Sequence, residues 1–582
     1  MTPLPTRNSQ LSLQRAGFRT VPEMLDYAAR GDTGVTFYSA RGERLAVLPW
    51  REVRERAHVM ARRLIGAGFA PGERLLVTAD TWPGFFDAFF GAQYAGMLPV
   101  PVSVPVGIGG KDAYLDQLRR QFAASGAVAA VAVDELAGYL DDAAREFPAL
   151  RLHGAMSVLE GLPEKPVDLR PLGPDDTCYI QFSSGSTRHP HGVQITQAAL
   201  MANLAGITGP GGLEVVPGDR AASWLPLYHD MGLIGFLMAP LSTQLSIDYL
   251  TPRDFARRPM QWLNIISGNR GTIAYSPSFG YDLATRRAGA KIPPDLDLSC
   301  WRHAGIGGDM IRPDVLERFA AAFGPFGFRS SAFLPSYGMA EVCLAITFSK
   351  HSTGVRTDTI DRRALADAHL AQPAADPRDE RVARRFVVCG RVLPGHVLEV
   401  RGDDGRPVGD RVVGRIFVRG PSVMPGYFGE PAASREVLSE DGWLDTGDLG
   451  YTLDGEIVVT GRAKDLIIIH GRNIWPQDIE WALSSRKIVK NDDAVAFSVE
   501  DDSGDSEHVV VAVLARVAGD EGRQALASEV ALAVREMISV DCQVVLVPPT
   551  MGLPTTSSGK LSRSRAKANF LAGLYDPKSP AA

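Results

Sequence analysis

Six clusters of polar residues along the chain could do chemistry on an anion. Ser183-Ser184-Gly185-Ser186-Thr187 places four hydroxyls and a glycine in one loop directly after an apolar run. Hydroxyls and backbone N–H groups on so tight a loop can wrap a polyphosphate without the lysine of a P-loop, although a lone Ser/Gly run more often reads as a linker. The second cluster is Trp224-Leu225-Pro226-Leu227-Tyr228-His229-Asp230-Met231-Gly232, equally readable as a packed turn with a satisfied histidine. Ser336-Tyr337-Gly338-Met339-Ala340-Glu341 then sets an aromatic, a glycine and a carboxylate together. Thr446-Gly447-Asp448 and Gly461-Arg462-Ala463-Lys464-Asp465 follow, each an ordinary polar turn when taken singly. Thr555-Thr556-Ser557-Ser558-Gly559-Lys560 adds more anion donors and an ammonium.

Other signatures fail. There is no G-x-x-x-x-G-K-[ST], no complete G-x-G-x-x-G, no G-x-S-x-G elbow and no H-E-x-x-H. The eleven histidines are scattered, and His189-x-His191 has no Cys or carboxylate at ligand spacing, which argues against a histidine metal site.

The clusters need elements to hold them. Val53, Ala57, Met60, Ala61 and Leu64 share one face of a helix over 53–65 that Gly66 stops. Leu75-Leu76-Val77 reads as a buried strand, 85–94 as a helix, 127–133 as a strand and 135–147 as a helix. Thr177 to Phe182 is a strand entering the Ser/Gly loop, with helix resuming near Gln197. This alternation predicts an α/β fold with helices covering a sheet and ligands at the strand ends. Residues 350–385 are charged and poor in large apolar side chains, and read as a discrete insertion rather than a solvated loop. Residues 386–460 are β-rich. A polar joint at 461–464 precedes a small α+β unit ordered strand, helix, strand, strand, helix, strand.

Composition bounds the rest. A chain of 582 residues, 45% hydrophobic and 22% charged, holds three or four units at roughly 150 residues each. With 61 Lys+Arg against 67 Asp+Glu, the net charge of −6 argues against a partner that is nucleic acid or anionic lipid. Five isolated cysteines (178, 300, 343, 389 and 542) form no C-x-x-C, so neither a disulfide framework nor a zinc ribbon is indicated. The first twenty residues lack an apolar signal core, and a reducing, cytoplasmic compartment is expected. Residues 88–110 carry no charge over a span's length, but Pro99, Pro101, Pro105 and five glycines predict a buried helix running into an extended segment.

Taken in order, the six clusters resemble the adenylate-forming (acyl-activating) superfamily, from about residue 20 to Arg563. Within it, QFSSGSTRHPHGV (181–193), SWLPLYHDMGL (223–233), PSYGMAE (335–341), VVCGR (387–391) and VVLVPP (544–549) are most similar to the fatty acyl-AMP ligases. The resemblance implies a large N-terminal multi-subdomain α/β body over 1–463, carrying a family insertion at 348–385. A small mobile C-terminal α+β domain over 464–582 would swing about a hinge at Lys464. It implies ATP and Mg²⁺ as cofactors, a fatty acid substrate, acyl-adenylate formation with pyrophosphate release, and acyl transfer to the phosphopantetheine of an acyl carrier protein. Ser183, Ser184, Gly185, Ser186 and Thr187 would hold the β- and γ-phosphates, with Arg188 adding charge, and Glu341 would hold Mg²⁺. Tyr337, within Ser336, Gly338, Met339 and Ala340, would stack on adenine beside Gly308, Asp309 and Met310. Asp448 would accept from the ribose with Arg462 nearby. Lys560 would reach the α-phosphate and the attacking carboxylate, and His229 would lie between acyl tunnel and phosphates. Met231, Leu233, Ile234 and Phe236 would line that tunnel. Arg563, Arg565 and Lys567 extend a basic run that suits an acidic carrier or a solvated tail. Arg188 and His191 depart from the common S-G-S-T-G-x-P-K-G loop, and Ala340 replaces a frequent Thr; all three suit the fatty acyl-AMP ligases. A fatty acyl-CoA synthetase is the alternative, and an inactive acyl-AMP or nucleotide sensor a third reading.

Overall fold

The computed structural model describes residues 11–15, 17–104, 110–183, 191–289, 292–379, 381–469, 472–500, 507–538, 540–556 and 560–575. Its largest element is a nine-stranded sheet. In spatial order the strands are Arg391–Val392, Ala345–Phe348, Phe333–Gly338, His303–Ile306, Ile273–Ser276, Arg220–Ser223, Ser246–Leu250, Gly34–Tyr38 and Arg44–Pro49. The six from Phe333–Gly338 to Gly34–Tyr38 run parallel, and the strands at both ends are antiparallel. The inner strands His303–Ile306, Ile273–Ser276, Arg220–Ser223 and Ser246–Leu250 are buried along their whole length, as expected where helices cover both faces.

A second, all-parallel sheet runs Leu98–Val102, Arg74–Thr78, Ala129–Ala132, Leu152–Ala155. It explains the uncharged stretch. Helix Pro83–Ala95 buries Phe85, Phe86, Phe89 and Phe90 completely. The chain then enters Leu98–Val102, an edge strand. Leu98 donates its N–H inward to Glu73, so the alternate positions Pro99 and Pro101 face away from the sheet and forfeit no ladder bond. Among the described residues no helix is long and apolar enough to cross a membrane. The expected helix at 53–65 is Trp50–Gly66, with the five predicted apolar residues buried.

The charged segment 348–385 is folded. Strand Thr357–Asp361 pairs antiparallel with Ala383–Val387, and helix Arg362–Ala368 lies between them. Its Ile360, Leu365, Ala371 and Phe386 share one apolar cluster with Tyr451, Val458 and Trp475, so it packs across the joint rather than waving in solvent. The four-stranded antiparallel sheet Val397–Arg401, Gly414–Arg419, Leu444–Leu453, Glu456–Arg462 leads to that joint. Beyond it, helices Pro476–Ser485 and Asp520–Ile538 pack with strands Ala494–Glu500, Glu507–Leu514 and Cys542–Val547 around their own apolar clusters. Two elements were not legible in advance. Arg472–Ile474 is too short to show a period. Helix Arg563–Leu571 buries one residue, Ala566, so it has no apolar stripe to read.

An ion triad ties these parts together. Asp478, on helix Pro476–Ser485, lies 2.9 Å from both Arg362 and Arg384. Arg384 is buried over the rings of Phe386 and Trp475, and burial pushes its guanidinium down to about 10 despite the attraction of Asp478. Removing the acid leaves two cations facing an apolar wall, one of them buried. Asp478→Ala should therefore lower the unfolding free energy by about 3–5 kcal/mol, the usual cost of an orphaned buried charge. Urea unfolding of the two proteins measures this, and a loss below about 1 kcal/mol would show that water screens the triad.

Candidate active site

The turn after strand Phe333–Gly338 places three of the six clusters in contact. Gly338 pairs with Ala345 across a tight hairpin, where a Cβ would stand 1.8 Å from the Leu344 carbonyl oxygen, so only glycine fits. This hairpin aims Tyr337 at one side and Glu341 at the other. The Tyr337 hydroxyl donates to Asp448 Oδ2 at 2.7 Å. Asp448 is set by its own turn: its N–H donates to Thr446 Oγ1, which donates to the Ile416 carbonyl. Arg462, on the neighbouring strand in register with Asp448, brings Nε to 3.6 Å from Asp448 Oδ1. On the other side Glu341 Oε1 accepts from the Tyr427 hydroxyl at 3.1 Å. Tyr427 stacks on His191, whose Nδ1 lies 2.8 Å from Glu430 Oε2.

Two cavities open off this turn. One, of about 490 Å³, is lined by Ser183, His191, His229, Asp230, Met231, Met339, Ala340, Glu341, Tyr427 and Lys464. The apolar side chains Ile207, Leu213, Phe236, Leu344 and Phe348 line it too. The other, of about 330 Å³, is lined by Asp309, Met310, Val387, Cys389, Asp448, Asn491 and Asp492. Gly308, Ser336, Tyr337, Gly338, Arg462 and Lys560 border both. The Lys560 ammonium donates to the Gly308 carbonyl, bridging from the C-terminal region to the loop after strand His303–Ile306.

Charge in this space is managed by pairing. Desolvation pushes Glu341 above the usual carboxylate range, opposed by the Tyr427 hydrogen bond and the Arg462 charge. Burial likewise raises Asp448 against the pull of Arg462 and Tyr337. For Asp230 burial acts upward, but His229, with Nδ1 2.6 Å from Oδ1, together with the Met231 N–H and Lys560, holds it below the usual value. Burial, then the Arg462 charge, lowers Lys464.

The structure thus gathers Ser183, His229, Gly308, Asp309, Met310, Ser336, Tyr337, Gly338, Met339, Ala340, Glu341, Asp448, Arg462, Lys464 and Lys560 around one pair of cavities. Ser184, Gly185, Ser186, Thr187 and Arg188 lie outside the described residues. Of the expected tunnel residues, Met231 and Phe236 line the cavity; Leu233 and Ile234 are fully buried in the core. The basic run requires a correction. Arg563 is not free for a partner, since its guanidinium is enclosed between Glu480 (2.6 Å) and Asp465 (2.9 Å), anchoring the last helix to the joint. Sequence reasoning missed Tyr427 and Glu430. Gly426-Tyr427 in a Pro/Gly turn was the one available sign, and nothing in spacing tied it to Glu341.

A model of the AMP-binding enzyme family matches residues 28–428. A Caulobacter vibrioides protein provisionally named an acyl-CoA synthetase is 47% identical, over 97% of this chain and 98% of its own. The medium-chain-fatty-acid–[acyl-carrier-protein] ligase JamA of Moorena producens is 31% identical over 97% of both chains. A solved chain from structural and functional studies of fatty acyl-adenylate ligases of E. coli and L. pneumophila superposes with a TM-score of 0.91 at 41% identity. That match covers 97% of this chain and 100% of the other.

The Glu341 environment is open to direct measurement. A hydrogen bond donated to a carboxylate favours its ionised form, so deleting the Tyr427 hydroxyl should raise the Glu341 pKa further. Difference infrared spectra, with Glu341→Gln identifying the band, should show the carboxyl titrating above the ordinary glutamate range and moving upward in Tyr427→Phe. A downward or absent shift would refute the assignment of this contact.

Proposed function

Because the chain belongs to the AMP-binding enzyme family and is an AMP-forming acyl-activating ligase close to the fatty acyl-AMP ligases, we propose that it activates a fatty acid with ATP and passes the acyl group to the phosphopantetheine thiol of an acyl carrier protein. The observation that carries this reading is the place of Lys560, which lines both a mostly apolar cavity and a more polar one.

In the first step a carboxylate oxygen forms a bond to the α-phosphorus while the bond to the β-phosphate oxygen breaks, and pyrophosphate leaves with that electron pair. Both reactants are anions, so the site must supply positive charge and oriented donors more than a base. Lys560 contributes an ammonium where the cavities meet. Ser183 to Thr187 hold the β- and γ-phosphates, Tyr337 stacks on adenine beside Gly308, Asp309 and Met310, and Asp448 with Arg462 takes the ribose. The apolar wall of Ile207, Leu213, Phe236, Leu344 and Phe348 suits an alkyl chain. His229, steered by Asp230, stands between chain and phosphates. In the second step the pantetheine sulfur bonds to the acyl carbon, the carbon–oxygen bond to AMP breaks, AMP leaves with the pair, and the thiol proton passes to solvent.

Mg²⁺ fits this donor set. Glu341 offers a hard oxygen on the cavity wall, and Mg²⁺ is usually held by one or two carboxylates together with substrate phosphates. Among the described residues no group of three or more His, Cys, Asp or Glu could hold an ion by itself. When bound, the ion would neutralise phosphate charge.

Body 1–463 and lid 464–582 would rotate about Lys464 between the two steps, exchanging Lys560 for the thiol. The segment 348–385, anchored through Asp478, is then the family insertion that goes with a carrier acceptor. The relative named for ligation to acyl carrier protein supports the same choice. One observation favours CoA as acceptor instead: the 47% identical relative carries an acyl-CoA synthetase name.

Two assays decide. Fatty-acid-dependent pyrophosphate release should be lost on chelating Mg²⁺ and restored by adding it back. It should fall at least 100-fold in Lys560→Ala, corresponding to about 3 kcal/mol, as for a lost oxyanion donor. Undiminished release in Lys560→Ala would refute the role of the lysine, and no release from the wild type with any fatty acid would point to a sensor. With holo carrier protein and CoA offered together, acyl carrier protein should dominate the products, and abundant acyl-CoA would transfer the assignment to the synthetases.

A further inference from the structure

The turn that carries Glu341 is strained, and the groups holding it form a buried polar network. After the short helical turn Ala340–Val342, Cys343 adopts φ 62° and ψ −66°. The Leu344 N–H donates to the Val342 carbonyl at 2.8 Å, closing a three-residue turn of the rare positive-φ form. A residue with a side chain keeps such a backbone only where its surroundings over-determine it.

The surroundings here centre on Asn203. Its Oδ1 accepts from the Ala345 N–H at 3.1 Å and its Nδ2 donates to the Ala345 carbonyl at 2.8 Å. One side chain therefore satisfies both main-chain groups of the residue at which the hairpin register shifts. The same Nδ2 donates to Ser422 Oγ at 3.1 Å, and Ser422 Oγ lies 2.5 Å from His396 Nε2. The Cys343 thiol donates to the Ser422 carbonyl at 3.4 Å. Two residues further on, the Met424 N–H donates to the carbonyl of Glu341 itself at 2.8 Å.

Asn203, Cys343 and Ser422 are all fully buried. Asn203 stands among Leu200, Leu204 and Ile207 of helix Gln197–Thr208, where an aliphatic side chain would avoid the cost of burying an amide. That helix follows strand Gly192–Thr196, the second arm of the hairpin whose connection contains the Ser/Gly loop. The amide thus joins helix Gln197–Thr208 to the turn bearing the carboxylate.

We propose that Asn203 is a positioning residue that fixes Glu341 relative to helix Gln197–Thr208 and the strand Gly192–Thr196 before it, with Ser422 and Cys343 completing its network. The carboxylate then meets the cation that accompanies a nucleoside triphosphate at one defined place. This rests on the reading of Glu341 as the carboxylate facing that cation.

Calorimetric titration of the full-length protein with ATP, with and without Mg²⁺ and without fatty acid, reads binding apart from turnover. Glu341→Gln should abolish the gain in ATP affinity that Mg²⁺ confers. An undiminished gain in that variant defeats the reading of Glu341. Asn203→Ala should reduce the same gain about tenfold, as partners that orient metal ligands do, and leave ATP affinity without Mg²⁺ within twofold. If Glu341→Gln behaves as expected but Asn203→Ala keeps the full gain, Asn203 does not act through Glu341. Should Asn203→Ala not fold by thermal melting, Ser422→Ala serves in its place. It deletes one partner of the amide and should lose several-fold of the gain, and an unchanged gain overturns the proposal.

Discussion

On the proposed function a fatty carboxylate and a triphosphate, which repel each other, must meet inside a cavity, and that is the constraint on which the rest of the structure depends. Away from bulk water the repulsion grows, and so does the value of each fixed cation. On that reading the site would meet it with Lys560 and Arg462, which line both cavities, and with acids that are each held by a partner. Asp448 is held by Tyr337 and Arg462, Asp230 by His229, and Glu341 by Tyr427. None of these carboxylates is left bare to repel an incoming phosphate.

Their support comes from the ends of a parallel sheet. Strands His303–Ile306 and Phe333–Gly338 deliver Gly308 and the Tyr337–Glu341 turn to the same edge. The turn is tight because Gly338 has no Cβ to strike Leu344. It is strained at Cys343 and stiffened by the buried amide of Asn203. Stiffness at this point and the proposed movement of the lid are compatible because they belong to different elements. Glu341 is built into the large body, and Lys560 arrives from beyond strand Cys542–Val547. The folded segment around 357–387 contributes to the same division. Arg362 and Arg384 grip Asp478 just beyond the joint, so the conformation seen here is held by charge as well as by the apolar cluster at Trp475.

Much of this was legible in the residues. The helical spacing of Val53, Ala57, Met60, Ala61 and Leu64 gave one element correctly, and the proline positions in 88–110 argued rightly for helix and strand over a membrane span. The clusters around His229, Tyr337–Glu341, Asp448, Arg462 and Lys560 were picked out because glycine beside charged or hydroxyl side chains is a local signal. Arg563 was misread for the same reason: four basic residues in eight look like a free patch until Glu480 and Asp465 are found on either side of one of them.

The sequence by itself determined which residue types are present to handle an anion, their order, and the elements that carry them, because periodicity and turn chemistry are properties of neighbours along the chain. Only the tertiary structure decided which of those residues share a cavity. Lys560 reaches a carbonyl 252 positions away, and Tyr427 meets Glu341 across 86. It also turned Asn203, an unremarked amide in an apolar helix, into the clamp on Ala345, 142 positions on. Contacts of that range are set by how sheets and helices stack, and a sequence pattern has no term for the distance between two turns that packing brings together.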